Sequence, residues 1–288
     1  MPVSVVTDST AYLPAEVARG ITVVPLTVAL GGVAGIEGEE ITPAKVAAAL
    51  TEHRLSVSTS RPAPEQFAQI YRKLLAGGAD GIASVHLSAR LSGTCDAARA
   101  AAADVDPERI AVVDARATGM GLGFCALTAA DVAATGAPLP EVVAAATAST
   151  EATSTFFYVD TLEFLRRGGR ISAASALLGT ALSVKPILHV ADGVITARDK
   201  VRTTSRALVR LVDLAVEAAG DGPVDVAVHH LAAPERARGV AEALLSRLGD
   251  QVRQCWTSEV GAVVAAHVGP GLVGVVVHRV GTHTTPRA

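Results

Sequence analysis

Short β-branched runs alternate with amphipathic, alanine-rich segments along nearly all of this 288-residue chain. The runs Val3–Val6, Ile21–Val28 and Gly81–Leu87 are typical of buried strands, whereas Pro64–Ala76 places its apolar side chains on one helical face. Alternating strands and helices predict a layered α/β fold with largely parallel sheets. Right-handed crossovers then place most loops at the carboxyl ends of the strands, where ligands bind in such folds.

The length of the chain indicates two domains, because 288 residues exceed one average domain. Half of the residues are hydrophobic, which is enough to bury two cores. The polar segment Thr147–Thr155 is the best candidate for a linker. We therefore expect an N-terminal α/β domain over residues 1–150 and a C-terminal α/β domain over residues 151–288.

The composition excludes several functional classes. A net charge of −3 and only nine aromatic residues give no basic surface or stacking platform for nucleic acid. Cys95, Cys125 and Cys255 form no CxxC pair, so neither a disulfide framework nor a metal site is indicated. The first residues carry no basic segment of a signal peptide, and charges or Gly-Pro breaks interrupt both long apolar stretches. We expect a cytoplasmic protein without a transmembrane segment.

Four polar islands that contain glycine or arginine interrupt the apolar pattern: Thr59–Pro62, Ser88–Thr94, Arg166–Arg170 and His267–Gly271. Their hydroxyls, exposed amides, arginines and histidine donate hydrogen bonds, which is what an anion-binding site needs. None has the ligand spacing of a metal enzyme, and no G-x-S-x-G segment supports a hydrolase. The islands therefore favour a binding protein for an acidic small molecule.

Each island also has a purely structural interpretation, which the sequence leaves open. Ser92-Gly93-Thr94 begins a predicted helix, so its hydroxyls either bind an anion or only cap the helix. The Thr59 island can likewise be a capping loop, Arg166–Arg170 a solvated basic turn, and His267 a buried structural residue. Gly119–Ala126 matches G-x-G-x-x-A, but a dinucleotide site needs an acidic residue at the end of a strand about 20 residues later. The chain there is Ala- and Pro-rich helix and loop, so close helix–strand packing explains the glycines better.

Four segments of the N-terminal half resemble motifs of the DegV family. Val6–Pro14 resembles the opening TDSTADLP of that family, and Thr59–Phe67 resembles its TSQPSPxxF segment. Ser88–Thr94 is similar to SSxLSGT, and Met120–Gly123 is similar to the GxG segment that follows. The order of the four matches is the order in the family.

Four further matches continue in family order through the C-terminal half. Thr161–Ile171 is similar to LxYLxKGGRI, and Val184–Leu188 is similar to xKPIL. Asp199–Arg202 resembles xKVR, and Ala266–Gly271 resembles xHxGPG. The resemblance therefore extends over essentially the whole chain.

The resemblance implies a two-domain α/β protein related to a domain of dihydroxyacetone kinase, with a long-chain fatty acid in a cleft between the domains. Such a protein needs no cofactor and is not catalytic alone. It presents the acyl carboxyl group to a separate fatty acid kinase subunit, which forms an acyl phosphate. The positions that match the family motifs imply carboxylate contacts from Thr59, Ser60, Ser92, Gly93, Arg170 and His267, with Ser88, Arg61 and Thr94 as further candidates. Arg202 would belong to the surface that meets the kinase.

Two departures from the family motifs affect the expected head-group site. Ala89 replaces the second serine of SSxLSGT, and Arg61 replaces the glutamine of TSQP, so that Arg61 could supply a compensating charge. Ala173–Leu182 and Val260–Ala266 are candidate walls of an acyl tube. The alternative is a phosphotransferase-related enzyme that acts on a small carbonyl substrate, which would need a small polar cavity instead.

Overall fold

The computed structural model describes residues 2–18, 20–52, 55–171 and 184–281. In chain order, the strands are β1 (Val3–Asp8), β2 (Ile21–Val24), β3 (Thr27–Leu30), β4 (Val33–Ile36), β5 (Val57–Ser60), β6 (Gly81–His86), β7 (Ile110–Asp114), β8 (Thr153–Tyr158), β9 (Lys185–Ala191), β10 (Val194–Val201), β11 (Val224–His230), β12 (Val252–Glu259) and β13 (Val273–Arg279). The helices are α1 (Pro43–Glu52), α2 (Pro64–Ala76), α3 (Thr94–Val105), α4 (Met120–Ala134), α5 (Leu139–Ala152), α6 (Glu163–Arg167), α7 (Thr204–Ala219), α8 (Pro234–Leu248) and α9 (Ala262–Val268).

The chain divides into two compact units. The first contains Met1–Thr27 and Thr59–Glu151, and the second contains Val28–Ser58 and Ala152–Ala288. The chain crosses between the units after Thr27, after Ser58 and after Glu151, so Val28–Ser58 groups with the C-terminal unit. There α1 packs on α9, and the backbone N–H of Val263 donates to the buried Glu37 carboxylate at 2.8 Å. The domains expected over residues 1–150 and 151–288 stay a prediction.

The first unit is built on a four-stranded sheet in the order β2-β1-β6-β7, in which every pair is parallel. Successive side chains of a strand point to opposite faces, so two separate cores form. Val5 and Val85 pack with α4 and α5 on one face, while Val6 and Ile82 pack with α2 and α3 on the other. Because β1 and β6 are parallel, Asp8 and His86 both end their strands at the same edge.

The second unit is built on a six-stranded sheet in the order β10-β9-β8-β13-β11-β12. Only β11 and β12 pair in parallel, and the other neighbours are antiparallel. The predicted α/β class is confirmed, with a mixed second sheet. The turn Asp192-Gly193 joins β9 to β10, and both residues have positive φ, at 47° and 78°, as a tight hairpin requires. α7 and α8 cover the core of this sheet.

Some sequence predictions need correction. The linker predicted at Thr147–Thr155 is wrong, because α5 runs to Ala152 and β8 begins at Thr153. The Thr147 and Thr150 hydroxyls donate to backbone carbonyl groups one turn back in α5, so this polar segment is the exposed end of a helix. Ile21–Val28 forms two strands, divided where Pro25 removes a backbone donor. The predicted helix Ser172–Leu182 and wall segment Ala173–Leu182 lie outside the described residues.

The glycine-rich start of α4 serves packing, as predicted. A Cβ atom at Gly123 would lie 3.0 Å from the Ala11 carbonyl oxygen and closer still to the Met120 sulfur. A Cβ atom at 3.0 Å from a carbonyl oxygen is tighter than most real contacts, so glycine eases the approach of α4 to the turn after β1.

Candidate functional site

The loop Leu87–Thr94, which we call the Ser92 loop, begins at a residue whose amide is hydrogen-bonded to a buried carboxylate. Asp8 Oδ1 accepts hydrogen bonds from the Thr10 amide at 3.1 Å and the Thr10 hydroxyl at 2.6 Å. Asp8 Oδ2 accepts from the Leu87 amide at 2.9 Å and lies 3.0 Å from His86 Nδ1. One carboxylate thus ties the end of β1 to the end of β6, and it fixes the point at which the Ser92 loop leaves the sheet.

This carboxylate ends a chain of four buried polar side chains that the sequence analysis missed. His86 Nε2 lies 2.7 Å from Ser84 Oγ, which lies 2.8 Å from the Tyr71 hydroxyl oxygen. An ionised carboxylate only accepts, so His86 donates to Asp8 from Nδ1. With a neutral imidazole, Nε2 then accepts from Ser84, and Ser84 accepts from Tyr71. Burial raises the pKa of Tyr71 well above its ordinary value, which keeps the phenol protonated as this donor.

The Asp8–His86–Ser84 order is that of a hydrolase triad, but Ser84 is completely buried and no substrate can reach it. The four hydrogen-bonded side chains therefore stabilise the end of the sheet from which the Ser92 loop leaves. A signal for it was present in the sequence, because Ser84 and His86 alternate with apolar residues along β6 and so point to the same face.

Within the Ser92 loop the backbone is held by its own turns. The Ser88 amide donates to the Ala117 carbonyl group at 2.9 Å, and the Ser92 amide donates to the Ser88 carbonyl group at 3.0 Å. Ser88 is buried, and its hydroxyl accepts from the Arg90 amide at 3.2 Å, so Ser88 shapes the loop. The loop is therefore ordered before any ligand contacts it.

The hydroxyls of Ser92 and Thr94 lie 2.9 Å apart at the start of α3. The N-cap of α3 is Gly93, and no side-chain hydrogen bond caps the helix. This geometry disfavours the interpretation of Ser92 as a plain helix cap. Ser92 is half-buried, which leaves its hydroxyl within reach of a ligand.

The first two islands meet inside the first unit. Thr59 and Ser60 end β5, and the Arg61 guanidinium that follows lies over Gly93. A Cβ atom at Gly93 would come within 3.0 Å of Arg61 Nη1. The start of α2 is capped by Gln66, whose side chain accepts from the Ala63 amide at 2.8 Å, so capping does not explain Thr59 or Ser60.

The other two islands meet inside the second unit. His267 lies near the end of α9, and Gly168 lies just beyond α6. A Cβ atom at Gly168 would come within 3.0 Å of His267 Nδ1, so only glycine fits here. The Arg170 guanidinium donates to the Gly168 carbonyl group, and the Arg170 amide donates to the Leu165 carbonyl group at 3.0 Å. These bonds hold the basic turn against the end of α6. The Arg170 side chain is therefore not simply solvated, as in the structural interpretation of this island.

His267 is neutral at physiological pH. Burial, and secondarily the Arg170 charge, lower its pKa to about 4. A neutral imidazole donates from only one ring nitrogen. His267 can therefore contribute one hydrogen bond to an anion, without a charge of its own.

The Gly-Pro-Gly segment after α9 depends on the absence of side chains. Gly269 has φ 72° and Gly271 has φ 91°, a region that disfavours other residues. A Cβ atom at Gly269 would overlap the ring of Phe164, and one at Gly271 would overlap the carboxylate of Asp160. The path of the chain beyond His267 is thus set by close packing.

The predicted kinase-facing Arg202 lies between β10 and α7. The neighbouring Arg198, Lys200 and Arg206 are exposed like Arg202, and none of the four side chains makes an ion pair with the described residues. Arg210, by contrast, pairs with acidic groups at 2.7 and 2.8 Å. Four solvent-exposed cations therefore lie within nine residues of one another along the chain, at the end of β10 and the start of α7.

Reactive cysteine and metal chemistry find no support within the described ranges. Burial raises the pKa of Cys95 and of Cys125 to about 12, so both thiols are protonated and inert. No cluster of three or more potential metal ligands occurs among those residues. Their helices also include none with the length and apolar character needed to cross a bilayer.

Known proteins provide an independent comparison. A sequence profile described as uncharacterised protein, DegV family, matches residues 2–280. A DegV domain-containing protein of Streptomyces coelicolor is 54% identical over 277 residues, which cover 96% of this chain and 98% of the relative.

Solved structures agree with this comparison. A DegV family protein from Thermus thermophilus, described by its fatty acid binding, matches with a TM-score of 0.91 and 34% identity, covering 97% of this chain and 100% of the other. DegV of Bacillus subtilis, described as a fatty acid binding protein, matches with a TM-score of 0.87 and 32% identity, with the same coverage. By sequence over its whole length and by fold, the chain belongs to the DegV family.

Proposed function

We propose that this chain binds a long-chain fatty acid and acts as a carrier that presents the carboxyl group to a separate kinase. The observation that carries the proposal is a set of donors that each unit holds in place. In the first unit these are the Ser92 hydroxyl, in contact with that of Thr94, and the Arg61 guanidinium over Gly93. In the second unit it is the neutral His267 against Gly168. The fatty acid binding described for the Thermus and Bacillus structures supports it.

Each predicted contact residue then has a distinct role. The hydroxyls of Thr59, Ser60 and Ser92, the Gly93 amide and one N–H of His267 donate to the carboxylate. Arg170 supports His267, because its charge helps to keep the imidazole neutral. Ser88 and Thr94 shape the loop through their hydroxyl contacts.

A buried acyl chain would supply most of the binding free energy under this proposal. Burial gains about 0.8 kcal/mol per methylene, so a chain of about 14 methylenes gains roughly 11 kcal/mol before the cost of association. Removing a carboxylate from water costs several kcal/mol unless it is hydrogen-bonded. The donors offset this cost, and they select an acid over an uncharged lipid.

The kinase partner would dock on the basic surface of Arg198, Lys200, Arg202 and Arg206. Exposed charges at the rim of an interface set mainly the rate of encounter and its salt dependence. Arg202→Ala should therefore retain fatty acid and slow acyl-phosphate formation with the cognate kinase. Arg238→Ala, which removes an exposed arginine paired with Glu235 on α8, is the matched control.

The decisive experiment is ligand identification followed by titration. Organic extraction of the purified protein and mass spectrometry should find fatty acid, and stoichiometric phosphosugar without lipid would overturn the proposal in favour of a phosphotransferase-type enzyme. Ser92→Ala and His267→Ala should each weaken fatty acid binding about 10- to 150-fold, the value of one charge-assisted hydrogen bond. Ser246→Ala, an exposed serine of α8, should bind like the parent protein. Parental affinity in both site variants would refute the assignment.

A further inference from the structure

The Arg61 guanidinium stands out among the arginines of the first unit because no described residue forms an ion pair with it. Arg61 is exposed, and its side chain forms no hydrogen bond or ion pair with any described residue. Four other arginines of this unit each lie within 4.0 Å of a carboxylate oxygen: Arg72, Arg99, Arg109 and Arg116. Arg61 instead lies over Gly93, the residue between Ser92 and Thr94, whose hydroxyl oxygens lie 2.9 Å apart.

The position of this guanidinium depends on the missing side chain of Gly93. Arg61 Nη1, Cδ and Cζ would all lie within 3.1 Å of a Cβ atom there. The planar fork thus lies against the backbone of the loop that, under the proposed function, holds the head group. A guanidinium in this place can form two parallel hydrogen bonds with a phosphate.

The charge that Arg61 adds exceeds what a carboxylate needs. A fatty acid carries one negative charge, and hydroxyls, an amide and a neutral imidazole can satisfy its oxygens. The kinase step changes that charge: a carboxylate oxygen forms a bond to the γ-phosphorus of a nucleoside triphosphate, the bond to the diphosphate breaks, and the head group becomes close to doubly negative.

We propose that Arg61 makes the head-group site selective for phosphate-bearing acyl ligands, so that the carrier retains the acyl phosphate more tightly than the fatty acid. This inference rests on the proposed function and names the second ligand class of the same site. The Ser92 hydroxyl binds both head groups, whereas the Arg61 fork binds the phosphate.

Titration with three ligands of equal chain length tests the inference: dodecanoate, dodecyl phosphate and dodecanol at pH 8. The parent protein should bind dodecyl phosphate most tightly and dodecanol most weakly. Arg61→Gln should lose about 10- to 150-fold in affinity for dodecyl phosphate and less than about 3-fold for dodecanoate. Arg61→Lys keeps the charge but loses the planar guanidinium, so its affinity for dodecyl phosphate should lie between those of the parent protein and Arg61→Gln. Arg99→Gln removes an exposed, paired arginine and should change nothing.

The outcomes separate the two proposals. If the parent protein binds none of the three ligands, the proposed function fails. If dodecanoate binds but Arg61→Gln leaves both anions unchanged, or weakens both equally, only the inference about Arg61 fails. An unchanged thermal midpoint in Arg61→Gln would show that the variant is folded, as expected for an exposed side chain.

Discussion

The two units hold their candidate head-group residues by opposite means. In the first unit the Ser92 loop is fixed by side chains, since Asp8 accepts four hydrogen bonds from the ends of β1 and β6. In the second unit, His267 and the chain after it are held by close packing, which is possible because Gly168, Gly269 and Gly271 have no side chains. A hydrogen-bonded site and a close-packed site respond differently to substitution, because polar groups can partly rearrange while overlapping atoms cannot.

The close-packed site should be the more fragile of the two. Gly269→Ala places a methyl group on the buried ring of Phe164 at φ 72° and ψ 170°. Backbone strain costs about 1–3 kcal/mol, and overpacking adds about 1–3 kcal/mol. Gly220→Ala is the control: Gly220 has φ 64° and ψ −148°, but no atom lies within 4 Å of its Cβ position.

Urea denaturation should therefore show a larger loss of stability in Gly269→Ala than in Gly220→Ala, by at least about 1 kcal/mol. Equal losses would show that backbone strain alone matters and that the Phe164 ring yields. In that case the contrast between the units would disappear.

The hydrogen-bonded site is tested by Asp8→Asn, which keeps the size of the side chain. An amide group would turn one donor toward Leu87 N–H or His86 Nδ1–H in a fully buried place. An unmatched buried donor costs about 1–3 kcal/mol. Asp96→Asn, which breaks an exposed ion pair with Arg99, should cost about 0–1 kcal/mol.

The same variant should also weaken fatty acid binding, because the Ser92 loop begins at the amide that Asp8 holds. Stability and binding therefore fall together in Asp8→Asn and stay near parental in Asp96→Asn. An Asp8→Asn protein as stable as its control would mean that the polar chain from Tyr71 to Asp8 rearranges at little cost.

Sequence patterns predicted the individual strands and helices, which depend on neighbouring residues in the chain. β1, β6 and α2 followed from buried runs and helical periodicity, and the start of α3 followed from the Ser92-Gly93-Thr94 segment. Contacts between distant parts of the chain could not be predicted in this way. The placement of Val28–Ser58 depends on contacts such as that of Glu37 with Val263, more than 200 residues later in the chain.

The candidate site shows the same limit. The family motifs named Ser92 and His267, but no local pattern shows that Arg61 lies on Gly93 or that Gly168 faces His267. Asp8 and His86 lie in separate strands, and only the parallel pairing of β1 with β6 brings them together. Thr147–Thr155 was wrongly predicted as a linker because the exposed end of a helix has a similar polar composition.

The smallest expected effect is the response of the second unit to mild acid. Burial lowers the pKa of His229 to about 4, and burial together with the Arg170 charge does the same for His267. An unfolded chain has a histidine pKa near 6.5. Between about pH 6.5 and 4 the unfolded state therefore binds more protons, so the stabilising contribution of each histidine is complete above 6.5 and is lost as the pH falls toward 4.

Each of these histidines should cost about 1 kcal/mol of stability between pH 7 and pH 5.5. His229→Gln and His267→Gln should each flatten the dependence of the urea midpoint on pH over this interval, and an unchanged slope in both would contradict the lowered pKa values. The two histidines should differ when lipid is added. A carboxylate beside His267 favours the protonated imidazole, so bound fatty acid should reduce the acid sensitivity that His267 contributes and leave that of His229 unchanged. This difference would show that the close-packed half of the candidate site contacts the head group.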